Sequence, residues 1–371
     1  MRLLIAGGGT GGHIYPGIAI ARHLTLTDKN AAITFVGTKN GMEADLVVRE
    51  GFTFRAIRAQ GWSRKISIKT LSMLLNNSIG VLQALNIIRE FKPDVVLGTG
   101  GYVAAPLVFA AALLKIPIVL HEQNAVPGIT NRFLSRWASK VALSFNESKK
   151  FFPSHVKMEV TGNPVREALF QVDKKEGIKK LNLSEHKKTV LVFGGSRGAR
   201  RINDAIIEGA KNLLSIDKLQ LIHLTGQDDY KYVLDQLQKK GIQLDLNGNI
   251  VIKPYLYEME NALAAADLVV CRAGATTLAE LTALGKASIL IPYPYATDNH
   301  QEKNARALEA EGAAYVIKDS ELTGKILTDL IIKLIEDNEL LSRMARNSRK
   351  LGQPDAVIRI VKCLRDAVSN R

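Results

Sequence analysis

Residues 2–12 read RLLIAGGGTGG, a short apolar run followed directly by a glycine cluster. The run Arg2–Ala6 predicts a buried strand, and the positions from Ile14 to His23 predict a helix after it. The glycines between them match the pattern G-x-G-x-x-G, in which small residues let the backbone approach an anionic ligand at a helix N-terminus. A strand, a glycine loop and a helix in this order indicate an α/β fold with a parallel sheet.

The same features recur in the second half of the chain. The apolar run Thr189–Phe193 leads into Gly194-Gly195-Ser196-Arg197-Gly198 and a helix predicted from Ala199. Two βαβ domains of similar design are therefore predicted, and such sheets bind ligands at the carboxyl ends of their strands. Further apolar runs that alternate with helices predict strands at 32–36, 94–97, 116–120, 140–143, 219–224, 250–252, 268–271 and 288–291.

The turn signal Gly162-Asn163-Pro164 marks the expected boundary between the two domains. We expect an N-terminal domain over residues 1–163 and a C-terminal domain over residues 164–353. A last helix, predicted from Pro354 to about Ser369, carries an apolar stripe. We expect the segment 354–371 to pack back on the first domain.

Composition places the chain among globular proteins. Of its 371 residues, 46% are hydrophobic and 23% are charged, which supplies enough apolar mass for two cores. Two cysteines, Cys271 and Cys363, indicate a reducing compartment rather than a disulfide scaffold. The apolar run Leu3–Ala6 is too short for a signal peptide, and the longest uncharged stretch, Val103–Leu114, is too short for a membrane span of about 20 residues. We therefore expect a soluble, cytoplasmic protein that can still touch a membrane.

The net charge of +14 is concentrated in the first half of the chain. Residues 1–163 carry 19 Lys and Arg against 9 Asp and Glu, and residues 51–89 contain six basic residues and no acidic one. A basic surface of this kind favours nucleic acid, anionic lipid or phosphorylated substrates, and charge alone does not choose among them.

The first glycine loop lacks the partner that a nicotinamide dinucleotide needs. Dinucleotide folds place an acid at the end of the second strand, where this chain has Gly37-Thr38-Lys39 and reaches its first acid only at Glu43. A Walker loop is absent as well, because Gly12 is followed by His13 rather than by a lysine. These two departures count against an oxidoreductase and against a P-loop enzyme.

The second half is better equipped to bind a nucleotide. The strand that ends at Cys271 leads into the small residues Gly274 to Thr277 at a helix start, whose backbone N–H groups favour a diphosphate. Glu280, one turn into that helix, is predicted to accept hydrogen bonds from ribose hydroxyls, with an ordinary acid near a helix start as the alternative role. The polar cluster 298–304 opens another helix and is predicted to contact sugar hydroxyls, with helix capping as the alternative role.

Six motifs follow one another along the chain in a characteristic order. Together they resemble the MurG-type family of UDP-N-acetylglucosamine transferases in peptidoglycan synthesis, and the resemblance covers essentially the whole chain. The motifs are GGGTGGHIYPG at 7–17, HEQNAVPGITNR at 121–132, GNPVR at 162–166, GGSRGAR at 194–200, CRAGATTLAEL at 271–281 and DNHQEKNA at 298–305.

The resemblance implies the GT-B glycosyltransferase fold, in which two Rossmann-like domains with parallel sheets face each other across a cleft. It implies inverting transfer of N-acetylglucosamine from UDP to the 4-hydroxyl of N-acetylmuramoyl-pentapeptide on undecaprenyl diphosphate. The N-terminal domain would serve the acceptor and an anionic membrane surface, at the cytoplasmic face of the inner membrane, and the C-terminal domain would bind the UDP-sugar. Neither a cofactor nor a nucleic acid is implied, whereas other cell-wall synthesis proteins are further possible partners.

The resemblance also carries over the substrate-binding residues. Asn124 and Gln301 are expected to contact the donor sugar, and Leu256 is expected to lie against uracil, with Ile252 as the other candidate. This chain has Ala273 where the family more often has serine. The difference should not matter, because the backbone rather than that side chain would bind the ligand. The expected substrate-binding residues are Thr10, Gly11, Gly12, Asn124, Arg166, Ser196, Leu256, Ala275, Thr276, Thr277, Leu278, Ala279, Glu280 and Gln301.

An inverting displacement needs a base for the acceptor hydroxyl and stabilisation of the leaving diphosphate. The chain has no Asp-x-Asp motif and no His/Cys cluster at metal-ligand spacing, so no metal site is predicted. The helix start at Gly274-Ala275, with Ser196 and Arg166, is expected to stabilise the leaving group instead. The candidates for the base are His13, His121, Glu122 and Asp298.

His13 is the preferred base, because it lies in the glycine loop and an ordinary imidazole titrates near neutrality. Its alternative role is to orient the backbone or the substrate. Glu122 is the second candidate for the base, and its own alternative role is to hold N–H groups of its loop.

A membrane-binding helix is predicted within residues 68–88. Apolar residues at Ile68, Leu71, Leu75, Ile79, Leu82 and Leu85 form one stripe, which packing on the sheet would explain in part. Met73, Leu74 and Val81 lie off that stripe, so the helix has more apolar surface than one buried face needs. The predicted membrane patch consists of Trp62, Arg64, Lys65, Lys69, Leu74 and Leu75.

Two other classes of protein compete with the transferase. A UDP-N-acetylglucosamine 2-epimerase of the same fold would also bind the nucleotide sugar, but it needs no basic membrane face. A nucleic-acid binder would explain the charge, but it leaves the two glycine loops and Glu280 unexplained.

Overall fold

The computed structural model describes residues 1–61, 68–195, 198–242 and 249–370. They form two compact units, of which the first comprises Met1–Val165 and Gln353–Arg371 and the second comprises Arg166–Gly352. The second unit is therefore inserted into the first. The sequence boundaries at 163/164 and 353/354 lie within two residues of this division.

The first unit is built on a parallel sheet. Its strands within the described residues are β1 (Arg2–Gly7), β2 (Ala32–Thr38), β3 (Thr53–Ile57), β4 (Val95–Gly100), β5 (Ile118–Glu122), β6 (Lys140–Leu143) and β7 (Met158–Val160). The helices between them are α1 (Gly11–Thr27), α2 (Met42–Arg49), α3 (Ile68–Phe91), α4 (Ala104–Leu113) and α5 (Ile129–Leu134). The strand order is β3-β2-β1-β4-β5-β6-β7, so the direction of winding reverses between β1 and β4. Ligands of doubly wound sheets bind at this switch point.

The second unit repeats the design with another parallel sheet. Its described strands are β8 (Lys188–Phe193), β9 (Leu219–Leu224), β10 (Ile250–Lys253), β11 (Leu268–Cys271), β12 (Ala287–Leu290) and β13 (Ala314–Val316). Its described helices are α6 (Lys174–Lys180), α7 (Arg200–Leu214), α8 (Tyr230–Lys239), α9 (Met259–Ala265), α10 (Ala275–Leu284), α11 (His300–Ala310), α12 (Gly324–Glu336) and α13 (Asn338–Leu351). The order β10-β9-β8-β11-β12-β13 places the switch point between β8 and β11. The α/β fold class predicted from the sequence is confirmed.

The last helix, α14 (Ala356–Ser369), belongs to the core of the first unit. Its Ile360, Val361 and Leu364 are buried in one cluster with Leu3 and Ile5 of β1. No helix within the described residues is long and apolar enough to cross a membrane.

The faces of α3 differ from the sequence prediction. Leu75 and Leu82, which belong to the predicted stripe, are 63% and 62% exposed, whereas Met73, which was placed off it, is buried. Gly80 decides the orientation, because a Cβ there would lie 1.9 Å from the carbonyl oxygen of Arg58. Only the glycine face of the helix can approach the backbone after β3 this closely. Since both faces are apolar, periodicity alone could not choose between them.

This close approach predicts a large effect for Gly80→Ala. The added methyl group would overlap backbone, and overpacking typically costs about 1–3 kcal/mol of unfolding free energy. Urea denaturation should show this loss. The matched control is Gly128→Ala, since a Cβ at Gly128 meets no atom within 4 Å and its φ of −62° suits alanine. Equal stability of the two variants would contradict the role assigned to Gly80.

Candidate functional site

The first glycine loop is held by a buried carboxylate. Glu43, on α2, is 1% exposed and accepts hydrogen bonds from the backbone N–H of Gly9 at 3.2 Å and of Thr38 at 2.9 Å. A Cβ at Gly8 would lie 2.6 Å from its carboxyl carbon, and one at Gly41 would lie 2.2 Å from its Oε1. A side chain at either glycine would overlap the Glu43 carboxyl group, so glycine at these positions leaves the space that this carboxyl group occupies. Glu43 has a structural role that its position in the sequence did not indicate.

The N-terminus of α1 follows this loop directly. Thr10 is the N-cap residue and makes no side-chain capping hydrogen bond, and both Thr10 and Gly12 are exposed. Gly11 is half-buried beside them. The three predicted substrate-binding residues of this loop are thus brought together at the carboxyl edge of the sheet, where the helix end favours an anion.

His13 lies within the first turn of α1 and is tied to β4 and to the segment after β5. Its Nδ1 lies 3.1 Å from the carbonyl oxygen of Thr99 and 3.1 Å from Oε1 of Gln123. The hydroxyl of Thr99 also donates to the carbonyl oxygen of His13 at 2.7 Å. The imidazole ring is therefore held at the switch point of the first sheet.

Glu122, the second candidate for the base, holds its own loop. Its Oε1 accepts hydrogen bonds from the backbone N–H and the side-chain amide of Asn124, at 2.9 and 3.2 Å. Its Oε2 accepts from the N–H of Gly128 at 3.2 Å and from the side-chain amide of Asn131 at 2.9 Å. Burial raises the pKa of Glu122, and the four donors oppose that shift. All four partners are hydrogen-bond donors. The geometry therefore favours the alternative role of Glu122, in which its carboxylate holds the N–H groups of its own loop.

His121 is fully buried, and burial lowers its pKa to about 4. Its Nδ1 lies 3.0 Å from the side-chain nitrogen of Gln123, and its Nε2 lies 3.3 Å from the carbonyl oxygen of Gly162. Both ring nitrogens therefore have partners inside the first unit. This arrangement does not favour His121 as a base.

In the second unit, α10 starts at the carboxyl end of β11. The N-cap residue Gly274 has no side-chain capping bond, and the buried hydroxyl of Thr276 has no hydrogen-bond partner among the described residues. Ala275 and Leu278 are buried, and Thr277 and Ala279 are half-buried in the same helix. A helix N-terminus with an unsatisfied hydroxyl is typical of an anion site.

Arg166 and Glu280 form an ion pair within the second unit. Nη2 and Nε of the arginine lie 3.2 and 3.3 Å from the same carboxylate oxygen, Oε1. Burial raises the pKa of Glu280, whereas the charge of Arg166 lowers it. The sequence assigned the two residues to separate parts of a nucleotide, and the structure shows that they also contact each other.

The remaining predicted residues lie at other loops of the carboxyl edges. Leu256 is half-buried between β10 and α9, while Ile252 packs against the core of the second unit, so Leu256 is the better candidate for an apolar contact. Gln301 accepts a hydrogen bond from the N–H of Tyr293 at 2.9 Å. Asp298 precedes α11 with a left-handed φ of 51°. Ser196 lies outside the described residues.

Several side chains that position this site escaped the sequence prediction. Arg272 pairs with Asp319 at 2.6 Å and donates to the carbonyl oxygens of Ile291 and Pro292, which ties the loop before α10 to the neighbouring strand. Asn131 and Gln123 lie inside a quoted motif; Asn131 donates to His121 and Glu122 of the same motif, whereas Gln123 also contacts Thr99 and His13. No cluster of three or more His, Cys, Asp or Glu side chains that could hold a metal occurs in the described part of the chain.

Two parallel-sheet units with ligand loops at their switch points define the architecture of a GT-B glycosyltransferase. Sequence models of the glycosyltransferase family 28 N-terminal and C-terminal domains match residues 3–143 and 189–360. The chain belongs to glycosyltransferase family 28.

Relatives of this chain carry a specific name. A protein of Desulforamulus reducens is 50% identical over 98% of both chains and is named UDP-N-acetylglucosamine--N-acetylmuramyl-(pentapeptide) pyrophosphoryl-undecaprenol N-acetylglucosamine transferase. A crystal structure of MurG from Acinetobacter baumannii is 30% identical, with a TM-score of 0.75 over 98% of this chain and 99% of that one. The resemblance found in the motifs is confirmed.

The epimerase alternative has weaker support. A UDP-N-acetylglucosamine 2-epimerase from Neisseria meningitidis, bound to UDP-N-acetylglucosamine, matches with a TM-score of 0.69 but is only 17% identical. Its alignment covers 99% of this chain and the whole of that one. At this identity the likeness extends to the fold alone.

Glu122 and Glu280 should respond differently to substitution by glutamine. Burial raises the pKa of both carboxyl groups, so burial disfavours the charged form that each takes as the pH rises. The two differ in what binds the carboxylate. Glu122 accepts from four N–H donors, and Glu122→Gln places an amide N–H₂ against them, which should cost about 1.5–3 kcal/mol of unfolding free energy. Glu280 pairs with the partly exposed Arg166, so Glu280→Gln should cost less. Urea denaturation of both variants at pH 7.5 measures the difference, and an equal loss of stability in both would contradict the distinction.

Proposed function

We propose that this chain transfers N-acetylglucosamine from UDP-N-acetylglucosamine to the 4-hydroxyl of undecaprenyl-diphosphate-linked N-acetylmuramoyl-pentapeptide. The main support is the 50% identity, over 98% of both chains, to a relative that bears this transferase name. The acceptor oxygen bonds to the anomeric carbon as the bond from that carbon to the β-phosphate oxygen breaks. The configuration inverts, UDP leaves, and the hydroxyl proton passes to a base.

The second unit would bind the donor. The start of α10 offers N–H groups and the Thr276 hydroxyl to the diphosphate, and Glu280 offers a carboxylate to the ribose hydroxyls. The nearby Arg166 favours the charged form of that carboxylate and adds positive charge beside the phosphates. Hydrogen bonds and a helix dipole of this kind stabilise the charge that develops on a leaving diphosphate. Leu256 would face uracil, and Gln301 and Asn124 would contact the sugar.

His13 would be the general base. The candidates Glu122 and His121 have their polar atoms engaged by other groups of the first unit. His13 is half-buried in the first turn of α1, next to the exposed residues Thr10 and Gly12, whereas Glu122 and His121 are buried. Imidazole is the side chain most often used as a general base in catalysis.

An apolar surface of the first unit supports peripheral membrane binding at the cytoplasmic face. We name it the apolar patch, and it lies on α3, α4 and the segment from α5 to the 3-10 turn Ser135–Trp137. Phe109 and Phe133 both contact Trp137, with ring centroids 5.7 and 5.2 Å apart, and Arg136 lies over the ring of Phe133. Exposed side chains of the patch are Leu74, Leu75, Leu82, Phe109, Leu113, Phe133 and Trp137.

The patch suits an interfacial role, because aromatic rings and basic side chains favour the headgroup region of a bilayer. Leu74 and Leu75 were predicted, whereas the aromatic residues were missed because they come from distant parts of the sequence. Trp62, Arg64 and Lys65 lie outside the described residues. Lys69 lies in the first turn of α3, but its side chain is not among the parts that the structure describes.

Product analysis tests the proposed function. The purified protein is incubated with UDP-N-acetylglucosamine, with and without the lipid-linked muramoyl-pentapeptide. Acceptor-dependent release of UDP with formation of a disaccharide lipid is expected. Formation of N-acetylmannosamine without acceptor would establish the epimerase instead.

Substitution of His13 should affect turnover, and substitution of Glu280 should affect donor binding. His13→Ala should lower kcat by about 10²–10⁴-fold with little change in UDP affinity, since it removes a general base. Glu280→Ala should weaken UDP binding by about 1.5–3 kcal/mol, the value of a hydrogen bond to a charged group. Steady-state kinetics and calorimetry with UDP measure the two effects. If His13→Ala keeps more than about a tenth of the turnover, the base lies elsewhere.

Membrane binding should depend on the apolar patch. Leu75→Glu/Trp137→Glu should abolish sedimentation with anionic vesicles, because each carboxylate must then be dehydrated at the interface. Turnover on a short-chain soluble acceptor should be unchanged. Leu26→Glu is the matched control, since Leu26 is 71% exposed but lies outside the patch. Undiminished sedimentation of the double variant would show that the patch does not bind lipid.

A further inference from the structure

A chain of buried hydrogen bonds runs from His13 into the interior of the first unit. Gln123, which is 1% exposed, lies between two histidines, with Oε1 at 3.1 Å from Nδ1 of His13 and Nε2 at 3.0 Å from Nδ1 of His121. Nε2 of His121 in turn lies 3.3 Å from the carbonyl oxygen of Gly162. The function proposed above uses only the first member of this chain.

The backbone fixes the orientation of the Gln123 amide. Its Nε2 lies 2.6 Å from the carbonyl oxygen of Thr99 and 3.3 Å from that of His121. Carbonyl oxygens only accept hydrogen bonds, so the amide nitrogen must face them and the amide oxygen must face His13. A flipped amide would place its oxygen against two other oxygens.

The same reasoning fixes the proton positions on both rings. Nδ1 of His13 has two carbonyl oxygens at 3.1 Å, from Thr99 and Gln123, so it must carry a hydrogen. In the neutral ring, the lone pair then belongs to Nε2. Nδ1 of His121 accepts from Gln123, so the hydrogen of that ring is on Nε2 and points to Gly162.

We propose that Gln123 is a positioning residue that holds the proton of His13 on Nδ1, so that Nε2 is the nitrogen that takes the proton from the acceptor. This inference rests on the role proposed for His13 as the base. When Nε2 accepts the proton, the positive charge of the ring is shared with an N–H group that already has two carbonyl acceptors, and charge-assisted bonds of this kind are stronger than neutral ones.

His121 supports this arrangement from the other side. It can accept from Gln123 only while Nδ1 is unprotonated, and burial of the ring favours that neutral form. A charged His121 would point a second N–H group at the Gln123 amide nitrogen. The buried histidine therefore stabilises the amide orientation that serves His13.

The tautomer can be measured directly in the wild-type protein. In ¹⁵N-histidine-labelled protein, long-range ¹H–¹⁵N spectra distinguish a protonated ring nitrogen from an unprotonated one, and His13→Gln assigns the signal. We expect the Nδ1–H form for His13 and the Nε2–H form for His121. An Nε2–H form at His13 would overturn the proposal whether or not the protein is a transferase. Absence of transferase activity would instead refute the proposed function.

Gln123→Met tests the consequence for turnover, since methionine has a similar length and no hydrogen-bonding amide. We expect kcat to fall about tenfold or more, the KM for UDP-N-acetylglucosamine to stay within about twofold, and some Nε2–H form to appear at His13. The matched control is Gln220→Met, because Gln220 is also buried and hydrogen-bonded but lies in the second unit. A kcat equal to that of the control, or a loss confined to KM, would overturn the proposal.

Discussion

Loops at the carboxyl edge of a parallel sheet have backbone N–H groups that no strand ladder satisfies. In the first unit, two buried carboxylates supply the missing acceptors: Glu43 binds the glycine loop and the end of β2, and Glu122 binds the segment after β5. A buried charge is expensive unless several donors surround it. These anchors therefore hold the loops rigidly, and the positions of His13 and Asn124 depend on them.

The two units apply this principle differently. In the first unit, buried carboxylates bind the backbone of the loops from the inside. Small residues and a histidine then lie at the switch point of the sheet. In the second, among the residues that the structure describes, the Thr276 hydroxyl near the start of α10 has no hydrogen-bond partner and the Glu280 carboxylate pairs with Arg166. Polar groups left incompletely satisfied in this way are typical of binding sites, because a ligand can complete them. This difference between the two units agrees with the proposal that the second unit binds the nucleotide sugar.

Sequence reasoning could predict the fold class, because buried parallel strands such as β1 and β8 are continuous apolar runs next to glycine loops. It missed β3, β7 and β13, which are short strands at the edges of the two sheets. These strands contain charged or aromatic residues, and their pairing depends on tertiary packing. In α3, the orientation depended on one close contact at Gly80. Glu43 and Gln123 went unrecognised because the partner of each in the glycine-loop region, Gly9 and His13, is 34 and 110 residues away along the chain.

The insertion of the second unit into the first has a consequence for synthesis on the ribosome. Strands β4, β5 and β6 are made before the second unit, yet they pack against α14, which is made after the whole of that unit. The nascent first unit therefore has part of its apolar interior unshielded until α14 has been made. Surfaces that are exposed during such a delay are prone to aggregation. The core of the first unit is thus completed only when α14 has been synthesised, after the second unit.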